Sequence, residues 1–197
     1  AAIGATSYYS DLVVFDRHGF VTPEVALRLG RAIARCLNAH EKGRHKVVIG
    51  KDTRISGYML ETALTSGLVS EGARVLLTGP IPTPAVANLT KSMACDAGIM
   101  LTASHNPYED NGIKIFGPDG YKLGDELEQQ IEKIILHKEP EFAGNGIGKA
   151  FRIDDAVGRY IEHTKNAVGS GSLKGLKVVV DCANGAGYFV GPLIFEE

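Results

Sequence analysis

The chain has 197 residues, a net charge of −2, a hydrophobic fraction of 44% and a charged fraction of 22%. That length suits one large domain, or one domain and part of another, and the mild negative charge argues against nucleic acid or an anionic membrane surface as the main partner. No apolar run approaches the ~20 residues of a membrane-spanning helix, the start lacks a basic-then-apolar leader, and three widely spaced cysteines (Cys36, Cys95, Cys182) read as free thiols of a cytoplasmic protein.

Thr22 is a good N-cap and Pro23 suits a first helical position. Val25, Leu29, Ala32, Ile33, Cys36 and Leu37 repeat at helical spacing, which predicts a helix to about His40, stopped by Gly43. HKVVIG is a short apolar strand followed by the loop KDTRISG. A helix from about Tyr58 to Ser70 ends at Gly72, and the strand ARVLLT then leads to the loop GPIPTP. A helix over about Pro84 to Met93 precedes the strand DAGIML, which runs into TASHNPYEDNGIK. GIKIF is a further strand, PDG a turn, and Asp125 to about His137 a helix with Leu127, Ile131, Ile134 and Ile135 on one side.

Alternating strands and helices with short loops predict an α/β fold, layered α/β/α, with a mostly parallel mixed sheet. In such sheets ligands bind beyond the carboxyl ends of the strands. The loops KDTR, GPIPTP and TASHNP all leave strands in that direction, so they are expected to meet at one crevice. The Gly-rich EFAGNGIGKA marks a boundary, dividing the chain into 1–148 and the start of a second, similar domain over 149–197. In the latter, Asp154 to about Ala167 is helical, and LKVVVDCANGAG reads as a strand and a Gly-rich turn. One strand and one helix cannot bury a core alone, so this second unit is expected to be incomplete.

Ser104 lies just past a strand end, beside His105 and the rigid Pro107. A lone loop serine is usually a cap or turn residue. Ser104 and His105 do not form a hydrolase pair: adjacent side chains rarely aim at each other, and there is no GxSxG elbow. A serine with no dedicated base can still carry a phosphoryl group if cations and donors surround it. In GIKIF the period of two sets Lys114 opposite Ile113 and Ile115, either on a solvated face or facing the crevice. Asp52 and Arg54 are two apart, a spacing at which an acid orients an arginine toward phosphate, although a surface turn explains it equally well. NGAGY resembles a loop that opens a helix toward an anion, but lacks a nucleotide-binding fingerprint.

Taken together, TASHNPYEDNGIKIF, GKDTRISGYMLE, TGPIPTPAVA and VVVDCANGAG resemble the α-D-phosphohexomutase superfamily, and within it the bacterial phosphoglucosamine mutase branch. The likeness runs from about Val47 to the end of the chain. It implies that Ser104 carries the phosphoryl group and, through it, is one ligand of Mg²⁺. His105 and Lys114 would assist proton transfer. Asp52, Arg54 and Asn106 would support the phosphoserine loop, with Arg17 standing in for an arginine of the family's first loop. The implied reaction interconverts glucosamine 6-phosphate and glucosamine 1-phosphate through a sugar bisphosphate, which also serves as activator, in a protein compatible with a homodimer. A phosphomannomutase or phosphoglucomutase of the same superfamily, and a non-catalytic sugar-phosphate-binding protein, are the alternatives. Two departures stand out: the start AAIGATSYYSDLVVFDRHGF matches the family's FGTDGIRG-like loop poorly, and no DGDGDR-like aspartate loop for Mg²⁺ occurs. The chain is therefore expected to be an incomplete part of the enzyme and inactive alone.

Overall fold

The computed structural model describes residues 21–40, 45–136, 146–168 and 172–196. In chain order the elements are α1 (Pro23–His40), β1 (Lys46–Lys51), α2 (Ser56–Ser70), β2 (Arg74–Pro80), α3 (Thr83–Ser92), β3 (Ala97–Leu101), β4 (Ile113–Phe116), α4 (Asp125–Leu136), β5 (Lys149–Arg152), α5 (Ala156–Val168) and α6 (Val190–Glu196). The strands form one sheet in the order β4-β3-β1-β2-β5. β1 pairs in parallel with β2 and β3, β5 pairs in parallel with β2, and β4 runs antiparallel to β3. The α/β fold and the mostly parallel mixed sheet are thus as the sequence predicts.

Central strands buried on both faces are apolar throughout, as in AGIML. Val47, Ile49, Ile99, Ile113 and Ile115 point into a core under α1, α2 and α4, while Val48, Met100 and Phe116 point into a second core under α3 and α5. α1 and α2 cross at glycines. A Cβ on Gly67 would lie 2.1 Å from the Leu27 carbonyl oxygen, and one on Gly30 would lie 2.3 Å from that of Leu64. Only hydrogen at these positions lets the two backbones approach so closely.

Past the Gly-rich stretch expected as a boundary, β5 aligns its Lys149 to Arg152 with Arg74 to Leu77 of β2. α5 then packs on α3, burying Ala156 and part of Tyr160 in the second core, so this stretch extends the first sheet and its helical layer. A four-residue edge strand is too short for its alternation to show in sequence. One expectation changes. The strand expected at LKVVVD does not form: Leu176 is 65% exposed, Val179 97%, and neither pairs with the sheet. An extended apolar segment becomes a strand only against a partner backbone, and none lies beside it among the described residues.

Candidate active site

The carboxyl ends of β1, β2 and β3 lie side by side, and main-chain bonds tie their loops together. The Ile81 N–H donates to the Lys51 carbonyl at 3.0 Å and the Asp52 N–H to the Leu101 carbonyl at 3.0 Å. The three loops therefore meet, as their direction of exit implies. With residues 182–187 they enclose a cavity of about 830 Å³, whose lining includes Arg54, Pro82, Ser104, His105 and Asn184. Thr53 closes the ring by donating its hydroxyl to the Asn184 carbonyl at 2.8 Å.

Ser104 is exposed at the mouth of this cavity and adopts a left-handed backbone, with φ of 56°. Its N–H donates to the Thr102 hydroxyl at 3.0 Å, and the Asn106 N–H donates to the Ala103 carbonyl at 3.1 Å. A non-glycine residue in this region carries strain that its surroundings must hold in place. The consequence corrects one sequence expectation: Ser104 Oγ and His105 Nδ1 lie 3.2 Å apart. The left-handed turn swings two adjacent side chains together that an extended backbone would point apart.

Arg54 holds the loop. Asp52 accepts from the Arg54 N–H at 3.0 Å and from its Nε at 3.0 Å, which aims the guanidinium. Nη2 then donates to the Ser104 carbonyl at 3.2 Å and the Asn106 carbonyl at 2.9 Å, while Nη1 donates to the Asp110 carbonyl at 3.1 Å and also to that of Pro107. A planar fork of donors can satisfy several convergent carbonyls, which a single ammonium cannot. The Asn106 side-chain amide donates a hydrogen bond to the Asp110 carboxylate at 3.0 Å. Asp52, Arg54, Ser104, His105 and Asn106 thus gather in one place.

Lys114 is half-buried on β4, across from Met100 of the cavity wall and on the face opposite Ile113 and Ile115. It is not among the residues that line the cavity. Arg17 lies outside the described residues. Among the described residues no group of three or more His, Cys, Asp or Glu is placed to hold a metal ion. Sequence reasoning did not foresee Thr102 as the acceptor for the Ser104 N–H, nor Tyr108, which lines the cavity and is 76% exposed. It did single out NGAGY, whose first residues form the far wall; Asn184 there and Ala183 just before it have φ of 54° and 48°.

Residues 14–142 match the family described as phosphoglucomutase/phosphomannomutase, alpha/beta/alpha domain I. The chain is 58% identical over 182 residues to a phosphoglucosamine mutase of Sorangium cellulosum, covering 90% of the chain and 38% of that protein. It is 57% identical over 178 residues to a phosphoglucosamine mutase of Dinoroseobacter shibae, covering 90% and 40%. A crystal structure of a phosphoglucomutase/phosphomannomutase family protein from Burkholderia thailandensis superposes with a TM-score of 0.76 at 30% identity, over 96% of this chain and 41% of that one. The chain therefore spans about two fifths of the length of the curated relatives it matches.

Proposed function

Because the chain belongs to the phosphoglucomutase/phosphomannomutase family, we propose that the protein carrying it interconverts glucosamine 6-phosphate and glucosamine 1-phosphate. The relatives that support this substrate are phosphoglucosamine mutases with 58% and 57% identity. The observation that carries the chemistry is the exposed Ser104 hydroxyl at the cavity mouth, on a loop whose carbonyls Arg54 clasps.

In the working enzyme Ser104 carries a phosphoryl group. A sugar hydroxyl attacks the phosphorus; a new P–O bond forms to the sugar as the P–Oγ bond breaks. The hydroxyl proton leaves and Oγ gains one. His105, with Nδ1 3.2 Å from Oγ, is the first candidate to exchange that proton, and Lys114 is the second. The resulting bisphosphate turns over and returns its other phosphate to Oγ, which restores the phosphoserine. The clasped loop supplies position.

Mg²⁺ would neutralise charge on the transferring group. A phosphate on Ser104 would fit as one ligand, whereas Asp52 is occupied by Arg54 and the described residues offer no carboxylate cluster for the rest. The same reading sets the protein in the cytoplasm, is compatible with a homodimer, and has the bisphosphate as intermediate and activator. No helix among the described residues is long and apolar enough to cross a membrane.

The test is turnover of the full-length protein on glucosamine 6-phosphate, glucose 1-phosphate and mannose 1-phosphate with Mg²⁺ and trace bisphosphate, with Ser104→Ala as control. Preference for the amino sugar, lost in the variant, supports the reading. Preference for a neutral hexose moves the protein to another branch of the family, and no turnover on any sugar favours a binding protein.

A further inference from the structure

Lys51 is the last residue of β1, the central strand, and is 3% exposed. Its ammonium donates to Glu61 Oε2, and the Tyr58 ring covers it at 3.8 Å from ring centre to Nζ. Both partners belong to the first turns of α2. The side chain thus spans from one end of the loop 52–55 to the other. Its stem also lies along the start of α2, where a Cβ on Gly57 would be 3.5 Å from Lys51 Cδ. That short loop carries Asp52 and Arg54, whose guanidinium clasps the carbonyls around Ser104.

Stability alone does not favour a charged pair here. Taking two ions out of water is costly, and well-packed apolar residues of similar size often hold such a position as well or better. Glu61 Oε1 is moreover buried with no hydrogen-bond partner among the described residues, a further cost. What the ion pair adds over an apolar contact is direction: a charge-assisted bond fixes where the loop leaves β1 and where it enters α2.

Building on the mutase reading, we infer that the Lys51–Glu61 pair, capped by Tyr58, is a positioning device that sets the Arg54 clasp and, through it, the Ser104 loop. It touches neither substrate nor phosphoserine in this role. It acts by removing the freedom with which Arg54 would otherwise sample other partners.

The test uses the full-length protein with an apolar replacement, Lys51→Met with Glu61→Leu, beside Lys51→Arg. Two readouts are taken: steady-state kinetics and hydrogen–deuterium exchange of residues 104–110. The double variant is expected to unfold at a temperature close to the parent's, lose at least tenfold in kcat with KM within threefold, and exchange 104–110 at least tenfold faster. Lys51→Arg, which keeps the charge, should stay within threefold on both. A folded double variant with kcat and 104–110 exchange within threefold of the parent overturns the inference. If the double variant fails to fold, Tyr58→Leu, on a half-exposed ring, replaces it; unchanged exchange of 104–110 there overturns the inference equally. Absence of turnover by the unsubstituted protein would refute the mutase reading alone, because the exchange readout still decides the positioning role.

Discussion

Arg54→Lys keeps the positive charge and removes the fork, so it isolates geometry from electrostatics. The guanidinium serves the Asp52 carboxylate and the carbonyls of Ser104, Asn106, Pro107 and Asp110. The bonds to Ser104 and Pro107 are exposed, so water replaces them at little cost. The other three are partly buried, and each contributes about 1 kcal/mol net. A lysine ammonium reaches one of those acceptors, so two bonds are lost, or about 2 kcal/mol. Expressed in the population of the ordered loop, that is roughly a thirtyfold fall in kcat. Steady-state kinetics of the full-length protein at saturating bisphosphate would read it, with KM for the sugar phosphate within threefold because the clasp faces the loop backbone. A folded Arg54→Lys protein retaining kcat within threefold would refute the claim that the clasp positions Ser104.

Gly67→Ala forces a methyl group 2.1 Å from the Leu27 carbonyl oxygen, so α1 and α2 must separate; urea unfolding should show a loss of about 1–3 kcal/mol. Burial raises the thiol pKa of Cys36, and pushes that of Cys95 up to about 11. Thiol labelling near neutral pH with peptide mapping should therefore leave both unmodified in the native protein, while the only partly buried Cys182 at the cavity wall reacts first. The hydrogen bond from Arg159 holds the Asp155 carboxyl below its ordinary value of 3.8, so its contribution is present above that value and fades as pH falls through the lowered one. Asp155→Asn should accordingly lower the melting temperature slightly at neutral pH, and the difference from the parent should vanish in strong acid.

Where the sequence repeats at a fixed period over many residues, it announces its structure. α1 is legible from Val25 to Leu37 and its Thr22–Pro23 start, and its observed span of Pro23–His40 differs from the expected one by a single residue. The meeting of three loops followed from strand direction alone. β5 was hidden because four residues facing one partner leave no readable alternation, and it sits next to a glycine-rich stretch that mimics a linker. The valines of LKVVVD misled in the opposite direction, since β-propensity reports fitness for a sheet and not the presence of one. At the site, Asp52 and Arg54 were legible as a pair, but their target was not: four main-chain carbonyls leave no trace in residue type. The Ser104–His105 contact was likewise hidden, because it depends on a positive φ that the letters of a serine and a histidine do not encode.

The clasp also bears on how freely this loop can change. Arg54 addresses main-chain oxygens, which every amino acid possesses, so the curvature of residues 104–110 is held largely independently of their side chains. Tyr108 and Glu109 can then be exchanged with the frame kept, and the rim of the cavity can drift toward other ligands while the serine stays where it is. Variation is tolerated along the loop and costly at the arginine. A library randomised at 108 and 109 should retain active members in large numbers, whereas variants at 54 should stay folded but fall roughly thirtyfold or more in turnover.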